Sequence, residues 1–161
     1  MSYPLNGSLN GTLVAGGNGN GGNYNQLNLP TGFYIDSLTN SLIIAHDGQS
    51  NIVRWALGAS NWTLITGNLN GMSGNGPSEF ARPTDAALDP MNNMYVADRN
   101  NHRIQFFLPN QSNGSTIAGV TNASGNNLTL LNGPTSLMLD NQLNLYVVDQ
   151  NNNRILKFLR Y

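Results

Sequence analysis

The chain has 161 residues, of which 9% are charged, with a formal net charge of −1 and no cysteine. This excludes disulfides and thiolate metal sites, and seven Lys plus Arg against eight Asp plus Glu leave no basic footprint for nucleic acid or an anionic membrane. No apolar run approaches the roughly 20 residues that span a bilayer as a helix, and 28 Asn with 18 Gly disfavour helices and suit strands joined by many turns.

In chain order, residues 1–6 lack the basic start and apolar stretch of a signal peptide. Residues 12–15 then read as a lone strand before Gly16. The linker 16–29 follows, where Gly17, Gly19 and Gly22 formally match a dinucleotide fingerprint. No helix is signalled after it, and that fingerprint needs a helix N-terminus for the pyrophosphate, so the segment reads as a loop. Pro30-Thr31 opens a unit with a short strand to Ile35, a turn led by Asp36, a strand over 42–45, a polar turn at Asp47, a strand over 52–57 and a last strand over 62–66. After the linker 67–82, Pro83-Thr84 opens a second unit with Asp89 at its first turn, Asp98 at its second, and strands over 104–108 and 115–118. After the linker 119–133, Pro134-Thr135 opens a third, with Asp140, Asp149 and a strand over 155–159.

The three units share one period. The Pro-Thr pairs are 53 and 51 residues apart, and Asp47, Asp98 and Asp149 are spaced by 51 and 51. Val14-Ala15-Gly16, Ile65-Thr66-Gly67 and Ile117-Ala118-Gly119 keep spacings of 51 and 52. A period of this length carrying four short strands predicts an all-β fold, a β-propeller of four-stranded antiparallel blades. The blades are expected at about 30–66, 83–118 and 134–161, the last completed by the strand 12–15, within one segment covering 1–161. Three blades are half of a six-bladed ring, which either a second copy or the remaining blades of a longer chain would close.

Asp98-Arg99-Asn100-Asn101-His102-Arg103-Ile104 contains an Asn-His-Arg-Ile run, and Asp149 to Ile155 repeats it with Asn153 for the His. These residues resemble the NHL-repeat family, and the resemblance implies a propeller fold with varied roles. The first unit departs from the motif, with Ile52 where the Arg is expected.

The repeat aspartates Asp47, Asp98 and Asp149 read as structural: each stands in a tight turn and accepts backbone N–H bonds. Arg103 and Arg154, five residues on, are within reach of a bidentate bond, so the first blade, lacking one, is expected to be looser. His46 and His102 occupy different repeat positions, and a metal site needs three or four converging ligands, so no metal or other cofactor is expected. Trp55, Phe106 and Phe158 read as equivalent packing positions. Seven Asn-x-Ser/Thr sequons, several in loops, lean toward an extracellular, glycosylated setting.

Strand alternation puts the long linkers and the second-turn aspartates on one face, where recognition is usually placed. The residues expected to contact a ligand there are Asn28, Arg82, Asp85, Arg99, Asn132 and Ser136. The first expectation is thus a non-catalytic scaffold binding a protein or glycan. The alternatives are a metal-dependent enzyme of the lyase or lactonase propeller type, or a structural repeat segment of a larger surface protein.

Overall fold

The structure, a computed structural model, describes residues 10–160. It contains eleven strands: β1 Pro30–Asp36, β2 Ser41–His46, β3 Asn51–Ala56, β4 Thr63–Gly67, β5 Pro83–Leu88, β6 Met94–Asp98, β7 Arg103–Phe107, β8 Ser115–Gly119, β9 Pro134–Leu139, β10 Leu145–Asp149 and β11 Arg154–Phe158. Sequential antiparallel pairing gives sheets β1-β2-β3-β4, β5-β6-β7-β8 and β9-β10-β11. A short 3-10 turn joins the second and third strands of each sheet, at Asp47–Gln49, Arg99–Asn101 and Gln150–Asn152.

Turn chemistry explains the hairpins. Asp36 Oδ1 accepts the N–H groups of Leu38 and Thr39, Asp89 Oδ1 those of Met91 and Asn93, and Asp140 Oδ1 those of Gln142 and Asn144. A carboxylate that satisfies donors two to four residues on replaces ladder bonds and reverses the chain. Burial pushes the Asp36 carboxyl up, but bonds from Thr39 and Arg54 outweigh it and hold the group below the usual range.

The sheets pack face to face in sequence order, with the first strands β1, β5 and β9 side by side as the inner row. Ile43, Ala45 and Ile52 of the first blade bury against Ala86, Met94, Val96 and Phe107 of the second. Ala87, Ala97 and Ile104 of the second bury in turn against Leu137, Leu145 and Val147 of the third. A hydroxyl tie joins neighbouring inner strands: Thr31 Oγ1 donates to the Pro83 carbonyl and Thr84 Oγ1 to that of Pro134. At Gly32 an added Cβ would lie 2.6 Å from the Thr84 carbonyl oxygen, so this close approach needs glycine.

Three expectations need correction. Residues 12–15 form no regular strand, because the edge they would extend, β11, lies at the other end of the arc and no other strand edge is offered to them. Asp47 is not the counterpart of Asp98 and Asp149: these end β6 and β10, whereas β2 ends at His46 and Asp47 begins the turn. The cause is the first hairpin, where four residues separate the paired Asp36 and Ser41, against three between Asp89 and Asn93. The same one-residue shift makes Phe107, not Phe106, the counterpart of Trp55 and Phe158: these three face Met94, Leu42 and Leu145 across their strand pairs.

Candidate functional site

The linker face is built around the repeat Asp and Arg. Asp98, wholly buried, accepts from Ala81 N–H, Asn101 Nδ2 and Arg103 Nε, each at 2.8 Å. Burial pushes its carboxyl up, against three donors that favour the charge. Arg103 does not grip Asp98 bidentately. Its other donors reach the carbonyls of Asn75, Gly76 and Glu79, all at 2.9 Å, and Thr121 Oγ1 at 3.2 Å. One guanidinium thus ties its own blade to the linker that leads into it. The third blade repeats this: Arg154 Nε holds Asp149, while Nη1 and Nη2 take the carbonyls of Asn126, Asn127 and Leu130.

In the first blade neutral groups stand at these positions. His46 Nε2 accepts the Asn28 N–H at 2.5 Å, as Asp98 accepts that of Ala81 and Asp149 that of Asn132. Across the strand pair Asn51 stands where the Arg does elsewhere. His46 Nδ1 and Asn51 Oδ1 are both buried with no hydrogen-bond partner among the described residues. With Nε2 accepting, Nδ1 carries the proton and is turned to a strand partner with a spare acceptor. Burial lowers the His46 pKa below its ordinary value, and the Asn51 side chain partly opposes this. The first blade does not lack an arginine contact: Arg82, from the next linker, grips Asp47 through Nε at 2.8 Å and Nη2 at 3.0 Å.

The expected ligand residues divide. Asp85 and Ser136 meet, with Ser136 Oγ donating to Asp85 Oδ2 at 2.8 Å, and both line a cleft of about 520 Å³ along the inner strands with Phe33, Tyr34 and Met138. Arg82 is committed to Asp47, and Arg99 reaches Gln150 at 3.3 Å. Asn28 donates its side chain to the Gly48 carbonyl, and the Asn132 side chain accepts from Asn151. The six therefore do not form one constellation. Phe33 and Tyr34, missed in the sequence, could have been found by noting that they follow Gly32, the counterpart of Asp85. No group of three or more His, Asp or Glu that could hold a metal ion occurs among the described residues.

Residues 80–107 match the NHL repeat family model. Mouse NHL repeat-containing protein 3 is 33% identical over 92 residues, covering 57% of this chain and 26% of that protein. An auxiliary nutrient binding protein from Bacteroides thetaiotaomicron superposes with a TM-score of 0.62 at 21% identity, over 78% of this chain and 36% of that one. A gluconolactonase from Xanthomonas campestris gives 0.59 at 11% identity, over 78% and 36%. The chain thus spans about a quarter of the curated relative and about a third of these solved structures, and at such identities the structural likeness speaks for the fold. Period, motif, family match and blade architecture agree: residues 80–107 carry an NHL repeat within a fold of β-propeller blades.

Proposed function

We propose that the chain is a non-catalytic recognition module that binds a protein or glycan on its linker face and at the adjoining mouth of the inner-strand cleft. The observation that carries this reading is the fixing of the linkers. Arg103 and Arg154 each hold three linker carbonyls, so the loops are ordered before any ligand arrives and less entropy is lost on binding. The cleft adds Tyr34 beside the Asp85–Ser136 pair, an aromatic ring with a carboxylate and a hydroxyl, a lining suited to a sugar ring. Two similar solved structures are described as auxiliary nutrient binding proteins, which supports a binding role. A second copy, or further blades of a longer chain, would complete the ring around this cleft.

Glycan and protein arrays probed with the purified chain and with an Asp85→Ala/Ser136→Ala/Arg99→Ala variant test the reading. Binding by the native chain that the variant loses while it remains folded is expected. Equal binding by both would overturn the assignment of the site.

A further inference from the structure

We propose that a second copy of this chain completes the ring, seating its first blade on the outer face of this chain's third blade and adding its residues 12–16 to β11 as the missing fourth strand. The strand register makes the blade faces comparable position by position. The face that the second and third blades turn toward the preceding blade carries Ala86, Leu88, Met94, Val96 and Phe107, then Leu137, Leu139, Leu145, Val147 and Phe158. The first blade carries Phe33, Ile35, Leu42, Ile44 and Trp55 at these positions; Leu42, Ile44 and Trp55 are buried in a cluster with Ala15, Leu27 and Trp62, and no blade covers Phe33 and Ile35. Phe33 is 63% exposed and Ile35 56%, and they border an apolar cleft of about 550 Å³ with Val14, Ala15 and Leu27.

The third blade shows the complementary defect. Its outer face has Met138, Tyr146, Val148 and Ile155 where the second buries Ala87, Ala97 and Ile104 and half-buries Tyr95. Met138 is 71% exposed and Ile155 68%. The inner-strand tie is open there too: the hydroxyl of Thr135, the counterpart of Thr31 and Thr84, has no such carbonyl acceptor among the described residues, and the partner's Pro30 carbonyl would accept it. One face is thus matched to the other, a head-to-tail junction that two copies of a half-ring close with twofold symmetry.

Residues 12–16 specify the strand. β4 and β8 end in Gly67 and Gly119, at φ +102° and +77°, set against the start of the third strand. Gly16 has the same left-handed conformation, at φ +73°, although its near neighbours are atoms of the Leu27 side chain and no third strand lies against it. In β4, Gly67, Thr66, Leu64 and Thr63 face Asn51, Ile52, Val53 and Arg54, and β8 repeats this register. Carried over, Gly16, Ala15, Leu13 and Thr12 of the partner face Arg154, Ile155, Leu156 and Lys157. Added strands of this kind draw on free edge groups that otherwise face water.

Native mass measurement and sedimentation of the 161-residue chain should give twice 17.3 kDa. A folded monomer at tens of micromolar would overturn the proposal and favour blades from a longer polypeptide. Phe33→Asp and Ile155→Asp should each give folded monomers, and mixing the two should restore a heterodimer, because one native junction survives in the mixture. Failure of the mixture to associate would rule out the head-to-tail arrangement. As a readout independent of those variants, Leu13→Cys/Leu156→Cys in this cysteine-free chain should oxidise to a covalent dimer, whereas an internally bridged monomer would contradict the strand exchange.

Discussion

Replacing Arg103 by methionine removes a guanidinium whose five N–H groups all have acceptors: one carboxylate, three linker carbonyls and a hydroxyl. Arg103 is 3% exposed and its partner Asp98 is 0% exposed, so water cannot take over the vacated bonds. Leaving a buried charge without its partner costs about 3–5 kcal/mol, a large fraction of the roughly 5–15 kcal/mol that holds a domain together. Arg154 makes the equivalent carboxylate and carbonyl bonds, without one to a hydroxyl, and is 21% exposed, so solvent can reach the gap left by Arg154→Met. That variant should cost about 1.5–3 kcal/mol, the range for bonds to charged groups. Urea denaturation followed by tryptophan fluorescence reads both values through Trp55 and Trp62 of the first blade. Asp98→Asn/Arg103→Met should recover at least half of the loss, since the asparagine oxygen still accepts the Ala81 N–H without a buried charge. Equal costs for the two arginine variants, or a loss under about 1 kcal/mol for Arg103→Met, would refute the reasoning from burial.

Three further outcomes follow from the same geometry. His46→Asp should destabilise by about 3 kcal/mol or more, because it buries a carboxylate opposite Asn51, and adding Asn51→Arg should recover most of it by restoring the repeat pair; denaturation midpoints of the single and double variants decide this. Burial holds the folded-state pKa of His46 below 6.5, so the unfolded chain takes up the proton first and stability falls as pH drops below about 6.5 toward the folded-state value. A His46→Gln variant should lose that component in melting curves taken from about pH 7.5 to about pH 5. Gly32→Ala should cost about 1–3 kcal/mol by overpacking the first junction, since its Cβ meets the Thr84 carbonyl and the Asp85 backbone, which no side-chain rotation relieves; thermal melting measures it.

The number and order of strands were legible because turn chemistry marks them: Asp36, Asp89 and Asp140 each announce a hairpin within the next few residues. The register of the first blade was not. A one-residue longer hairpin moved His46 into the repeat position, while Asp47 beside it kept an attractive spacing of 51. The signal was present in the drift from 53 between Pro30 and Pro83 to 52 between Gly67 and Gly119, which places the slip before the fourth strand. The linker clamps left no trace, because Arg103 and Arg154 bind carbonyl oxygens that any residue could supply. The grip of Arg82 on Asp47 spans 35 positions and follows no period. Of the expected ligand residues, Asp85 and Ser136 were placed together because they occupy one repeat position on adjacent inner strands.

Amide hydrogen exchange at Asn28, Ala81 and Asn132 tests the central claim most directly, that one buried acceptor per blade fastens each incoming linker. These three N–H groups lie outside every strand and are held by His46, Asp98 and Asp149 side chains. Near neutral pH all three should exchange as slowly as the central strand amides, and only Asn28 should lose protection as His46 takes up a proton. Fast exchange at all three beside protected strands would contradict the account.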